Sequence, residues 1–236
     1  METTQAAAAN SARFDIYCNV HKGLRAFMSD TLMRVARMNP DDPGERDPVL
    51  FHVRQLLEIL DAHIEHENEH VHPAIEARCA GASQQIAGEH ESHRQAIARV
   101  EARLEAISNA RQRQARGAAA LALYRELALF IGENFEHMEM EESMHNSALW
   151  AAYTDDEIHL IHQRLLSAVD PAQMAVFLRW IVPNLSHPER CEMLGGMQQG
   201  MPPEAFEQVL ELVRSHLGTR DWGKLSSALA LEPAAA

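Results

Sequence analysis

The segments "HIEHENEHVH" (His63 to His72) and "HMEMEESMHN" (His137 to Asn146) decide how this chain is read. Both carry His at the first position and Glu at the third and fifth, and both lie within stretches of helically spaced apolar residues. Residues four apart on a helix share a face, so His63 pairs with Glu67 and His137 with Glu141. The first pair's face runs back through Leu60 and Leu56 and forward to His70, Val71 and Ala74. The second runs back through Asn134, Phe130 and Leu123 and forward to Met144 and His145. Both pairs therefore point where the apolar side chains point. A carboxylate there is costly unless paired or metal-bound, so two inward Glu, each four residues after an inward His, call for a cation. Glu65, Glu69, Glu139 and Glu142 fall on the solvated side, and His66 and His72 are expected to be exposed.

The repetition extends beyond these segments. "HKGLRAFM" begins at His21 and "HESHRQAI" at His90, each with His first and Arg fifth. The chain thus reads His, then His-x-x-x-Glu, twice over. The candidate metal ligands are His21, His63, Glu67, His90, His137 and Glu141. On the third helix His93 shares the face of Ile86, Ile97 and Val100 with His90; the parallel with His21-x-x-x-Arg25 favours His90 and leaves His93 as support or substitute. Four imidazoles and two carboxylates suit a pair of transition ions. Imidazole suits iron, zinc, copper and nickel, while carboxylates can bridge two metals and favour iron or manganese. Two carboxylates leave such a pair cationic, so an oxo or hydroxo bridge is expected. His70 and His145 lie about one turn past the Glu residues and either cap the surface, line a ligand pocket or hydrogen-bond a bound species. Tyr17, four residues before His21, either brings a phenol near the metals or packs in the core. Cys18 is read as packed.

Helical periodicity predicts an all-α chain. Four long helices are expected, over Phe14 to Met38, Pro48 to Cys79 (capped by Asp47 and kinked at Pro73), Gln84 to Ser108 and Ala118 to Trp150. Joined by loops, they form an up-down-up-down four-helix bundle. Shorter helices follow, opened by the Thr154–Glu157 capping box, Asp170-Pro171, Ser186-His187-Pro188-Glu189 and Pro202-Pro203, with "DWGKLSSAL" as one more. The expected organisation is a disordered lead-in over 1–12, the bundle over 13–152 and a C-terminal helical extension over 153–236.

Composition narrows the function classes. A formal net charge of −13 disfavours nucleic acid, which needs clustered Lys and Arg, and disfavours an anionic membrane surface. No apolar run reaches the roughly 18 residues of a spanning helix. The N-terminus lacks the basic start and apolar core of a signal peptide. Three scattered Cys without a Cys-x-x-Cys pair fit a reduced, cytoplasmic protein.

The order His21, His63-x-x-x-Glu67, His90, His137-x-x-x-Glu141 resembles the hemerythrin-like (HHE cation-binding) domains over roughly residues 13 to 152. The resemblance implies a four-helix bundle with a non-haem di-iron site, four His ligands and two bridging carboxylates at those six positions. It implies a small diatomic partner such as dioxygen or nitric oxide, or a role in iron handling. The chain departs from the dioxygen carriers, which have His-x-x-x-His on the third helix and close with an Asp one residue further along; here stand His90-x-x-His93 and Glu141. Alternative functions are a di-iron enzyme acting on peroxide or nitric oxide, and a regulatory interaction module with a structural metal site.

Overall fold

The computed structural model describes residues 13–231, so the expected lead-in over 1–12 lies outside the described residues. Among those described, the protein is all-helical. Helix α1 spans Cys18–Arg37. It starts later than expected because the Asp15 carboxylate accepts the Tyr17 and Cys18 N–H groups, each at 2.9 Å, and so caps the turn. Helix α2 spans Pro43–His66. Its cap is Asp42, whose carboxylate accepts the Gly44 N–H at 2.8 Å. Asp42-Pro43 is the same cap-and-proline pair as Asp47-Pro48 and comes first, so the expected start at Pro48 is corrected by five residues. A π-helical segment, π1 (Glu67–Val71), and α3 (His72–Arg78) continue the same rod. Helix α4 is Gln84–Asn109, and α5 is Arg113–Met140, which begins ahead of the expected Ala118. A second π segment, π2 (Glu141–His145), leads into α6 (Asn146–Ala152).

The long helices touch in a closed ring: α1 on α2, α2 on α4, α4 on α5, and α5 back on α1. Along each helix the side chains sort into layers. One apolar cluster holds Leu24, Phe27, Leu56, Leu60, Ala96, Ile97, Leu127 and Phe130. A second holds Tyr17, Val71, Ile75 and Leu149. Between them on α1 lies His21, between them along α2 and π1 lie His63 and Glu67, and between them on α5 and π2 lie His137 and Glu141. A polar layer is thus sandwiched by apolar ones, which removes water from around it.

The rest of the chain forms α7 (Asp155–Ala168), α8 (Pro171–Asn184), α9 (His187–Gly200), α10 (Pro203–His216) and α11 (Thr219–Ala228). The Thr154–Glu157 capping box forms as expected. Helix α8 packs on α1, and its Phe177 and Ile181 enter the same core as Leu24 and Phe27. A Cβ on Gly23 would stand 2.7 Å from Ile181 Cγ1 and 2.9 Å from Ile181 backbone atoms, so only glycine permits this approach. Lys22 of α1 pairs with Glu189 at the start of α9. Leu178, Val182, Leu194, Phe206, Val213 and Leu225 form a third apolar cluster among α8 to α11. No single helix among the described residues is long and apolar enough to cross a membrane.

The π segments correct the inward face by one residue. An unbroken α-helix would carry the face from Glu67 to His70, Val71 and Ala74, and from Glu141 to Met144 and His145. Val71 and His145 are buried as expected, but they are joined by His72 and Ile75 after Glu67 and by Asn146 and Leu149 after Glu141, while Met144 is 44% exposed. A π turn closes i→i+5 bonds and so holds one residue more. His72, expected to be exposed, is therefore buried; His66 is half-buried. Pro73 cannot be the general cause of the distortion, because π2 forms with no proline near it. What π1 and π2 share is position: each opens at the inward Glu of a His-x-x-x-Glu pair.

Candidate metal centre

The six side chains singled out by the repeat converge in the polar layer. His21, Glu67, His90, His137 and Glu141 are buried, and His63 is nearly so. Two donor sets form, one of His21, His63, Glu67 and Glu141 and the other of His90, His137, Glu67 and Glu141; each set's ligand atoms lie within 4.8 Å of one another. The two carboxylates belong to both sets and divide their oxygens between them. Glu67 Oε1 faces His63 Nε2 at 3.2 Å, while its Oε2 faces His90 Nε2 at 3.4 Å. Glu141 Oε2 faces His21 Nε2 at 3.4 Å, while its Oε1 faces His90 and His137 Nε2 at 3.3 and 3.2 Å.

These separations test whether a metal fits. Ligands about 2.1 Å from one ion stand roughly 3.0–3.4 Å apart at right-angled or tetrahedral angles. Direct hydrogen bonds would be shorter and aligned. His21 Nε2, His63 Nε2, both Glu67 oxygens and Glu141 Oε2 are buried with no hydrogen-bond partner. Leaving such groups unpaired costs on the order of 1–3 kcal/mol apiece, and a cation between them would satisfy all of them. The donor set therefore fits a pair of metal ions.

Behind the ligand nitrogens stands a second layer of acceptors. His21 Nδ1 lies 2.9 Å from Glu142 Oε1, His90 Nδ1 2.9 Å from Asn68 Oδ1, and His137 Nδ1 2.9 Å from Glu89 Oε2. Each acceptor takes the Nδ1 proton and leaves the Nε2 lone pair facing inward, the tautomer that ligates. Arg25 in turn donates to Glu142 at 2.6 Å, which explains the Arg after His21. The Arg after His90, Arg94, instead pairs on the surface with Asp61 and Glu65. Glu142 was expected to be solvated, and the structure corrects this. It follows Glu141 as Asn68 follows Glu67, so the repeat unit is one residue longer than His-x-x-x-Glu. That parallel is the signal by which sequence could have found both; Glu89, beside His90, had none.

Without a cation, burial and the neighbouring Glu141 charge push the Glu67 carboxyl well above the usual carboxylate range. Glu141 is held well below it: burial opposes this, but the His137 and His90 imidazoles beside it prevail. For His137, burial is likewise outweighed by Glu141 and Glu89, which raise its pKa. Two facing carboxylates that differ so are what a buried pair does when their mutual repulsion is not cancelled.

The structure places His90, not His93, in the donor sets. His93 packs edge-on against His137, with centroids 4.5 Å apart, and lines an open cleft of about 320 Å³ with Glu89, Glu133, Glu136 and His137. His70 is half-buried with its Nε2 unpartnered. Tyr17 is buried, and its hydroxyl lies 2.9 Å from His145 Nδ1. Cys18, like Cys79 and Cys191, is a free, half-buried thiol.

A family model described as the hemerythrin HHE cation binding domain matches residues 14–146. No curated protein and no solved structure matches the chain. The matched span contains the four long helices, both π segments and all six converging side chains. The chain belongs to the hemerythrin HHE cation-binding domain family.

Proposed function

We propose that this chain is a non-haem di-iron protein. In this reading, residues 13–152 form an up-down-up-down four-helix bundle, 153–236 a C-terminal helical extension, and His21, His63, His90 and His137 ligate two irons bridged by Glu67 and Glu141. One observation carries it: each carboxylate turns one oxygen to each histidine pair, the arrangement of a carboxylate shared by two ions. Imidazole nitrogens mixed with shared carboxylates favour iron over the softer sites preferred by zinc or copper.

The function we infer is binding or sensing of a small diatomic ligand, dioxygen or nitric oxide, or the handling of iron, in the cytoplasm. Four protein donor atoms per ion leave coordination positions for such a ligand, and bound iron would supply the redox chemistry. The chain's own residues hold the site in shape. Glu142, Asn68 and Glu89 fix three imidazole tautomers, and the flanking apolar layers exclude bulk water. Purified protein is expected to carry roughly two irons per chain and to show near-ultraviolet and visible charge-transfer bands that respond to dioxygen or nitric oxide after reduction. A folded protein from iron-replete cells with neither iron nor these bands would overturn the proposal.

A further inference from the structure

His72 and His145 are two buried histidines that the proposed ligand set leaves unused. Their rings meet edge-on with centroids 5.0 Å apart, and His72 also stacks on the ligand candidate His90 at 4.9 Å. The Nε2 of each is buried without a partner. One nitrogen of each lies within 4.8 Å of the other and of a Glu141 oxygen. Three such groups can be read as a third cation site or as a set of contacts for a molecule bound at the metal centre.

The partner behind each ring decides between them. His21, His90 and His137 each have an acceptor behind Nδ1, so their inward nitrogen is a lone pair. His145 has a phenol behind it. At neutral pH the Tyr17 hydroxyl carries a hydrogen, and among the described residues it has no other acceptor within reach than His145 Nδ1. Burying that hydrogen unpaired would cost a full hydrogen bond, so the hydroxyl donates and Nδ1 accepts. The imidazole then carries its own hydrogen on Nε2, facing inward, and cannot ligate a cation there. Glu141, the remaining group, already serves both donor sets.

We propose that His145, set by Tyr17 and flanked by His72, is a hydrogen-bond donor to a small anion or anionic diatomic species bound at the di-iron centre, and not a metal ligand. The proposal rests on the di-iron reading.

Full-length protein, wild type and the variants Tyr17→Phe and His145→Gln, is reconstituted with ferrous iron, oxidised and titrated with azide, followed by its charge-transfer band. Iron per chain is measured on the same samples. Both variants are expected to keep wild-type iron content. The azide dissociation constant should rise about tenfold in His145→Gln and about threefold in Tyr17→Phe, the loss of one hydrogen bond and of its orientation. Long-range ¹⁵N spectra of the metal-free protein should show His145 as the Nε2–H tautomer. A fall of about half in the iron content of His145→Gln would make His145 a ligand and overturn the proposal. Unchanged azide affinity, no azide binding by iron-loaded wild type, or an Nδ1–H tautomer would overturn it while leaving the di-iron reading intact. Wild type that takes up no iron overturns both.

Discussion

Glu67 and Glu141 stand opposite each other in the polar layer, and each is the first residue of a π-helical segment. The two carboxylates are coupled through the same space, so removing one should empty more than its own bonds. Glu67→Ala and Glu141→Ala are each expected to reduce bound iron to at most about one ion per chain, since both donor sets lose an oxygen. Metal analysis of the variants purified beside wild type checks this; two irons retained in either variant would remove that carboxylate from the site.

Metal removal should destabilise the fold. A cation that binds the folded donor set and not the unfolded chain stabilises by mass action, roughly 3–4 kcal/mol at 100 to 1,000 times its dissociation constant. Chelated protein should therefore melt several degrees lower than reloaded protein. Equal melting temperatures would mean that the cluster holds no tightly bound ion.

Gly23→Ala tests the seam between α1 and α8. Its Cβ would stand 2.9 Å from Ile181 backbone, and backbone cannot swing away as a side chain can. The substitution is expected to cost about 1–3 kcal/mol, which denaturant unfolding would measure. An unaffected stability would show that α8 yields readily.

Arg190 is buried and donates to the Val182 and Pro183 carbonyls in the last turn of α8, at 2.9 Å each. Arg190→Met keeps the packing but leaves those carbonyls unbonded and removes a cation from a helix C-terminus. A loss of about 2 kcal/mol is expected, visible as a shifted unfolding midpoint.

The acid response has a definite sign. Burial lowers the pKa of His162, beside Phe14, from 6.5 to about 4. The unfolded chain takes up this proton first as pH falls, so the contribution is complete above pH 6.5 and is lost between about 6.5 and 4. Replacing His162 with Phe should flatten the decline in stability over that window by on the order of 2 kcal/mol, measured by unfolding at pH 7 and pH 5. A slope equal to wild type would place the ring in solvent.

The helical class and the convergence of His21, His63, Glu67, His90, His137 and Glu141 were legible because period and repeat are sequence properties. Helix ends were legible only where one capping pair stood alone: Thr154 with Glu157 was found, whereas Asp42-Pro43 competed with Asp47-Pro48. His72 and Met144 were misplaced for a physical reason. Counting by 3.6 assumes an unbroken helix, and no residue type announces a π turn. Glu142 was misread because it sits beside an inward Glu, where α geometry points outward and the π turn does not. The seating of α8 on Gly23 was illegible, since nothing local records which distant helix needs the missing Cβ.

The two π turns also bear on comparing related chains. In helical phase each is equivalent to one inserted residue. Two proteins with identical His-x-x-x-Glu spacing could therefore differ by a lone residue just downstream and still turn the same side chains inward, one through a π turn and the other through an unbroken helix. Deleting Ser143 here would remove the extra residue and keep His145, Asn146 and Leu149 on the inward face, and a motif search would register no change.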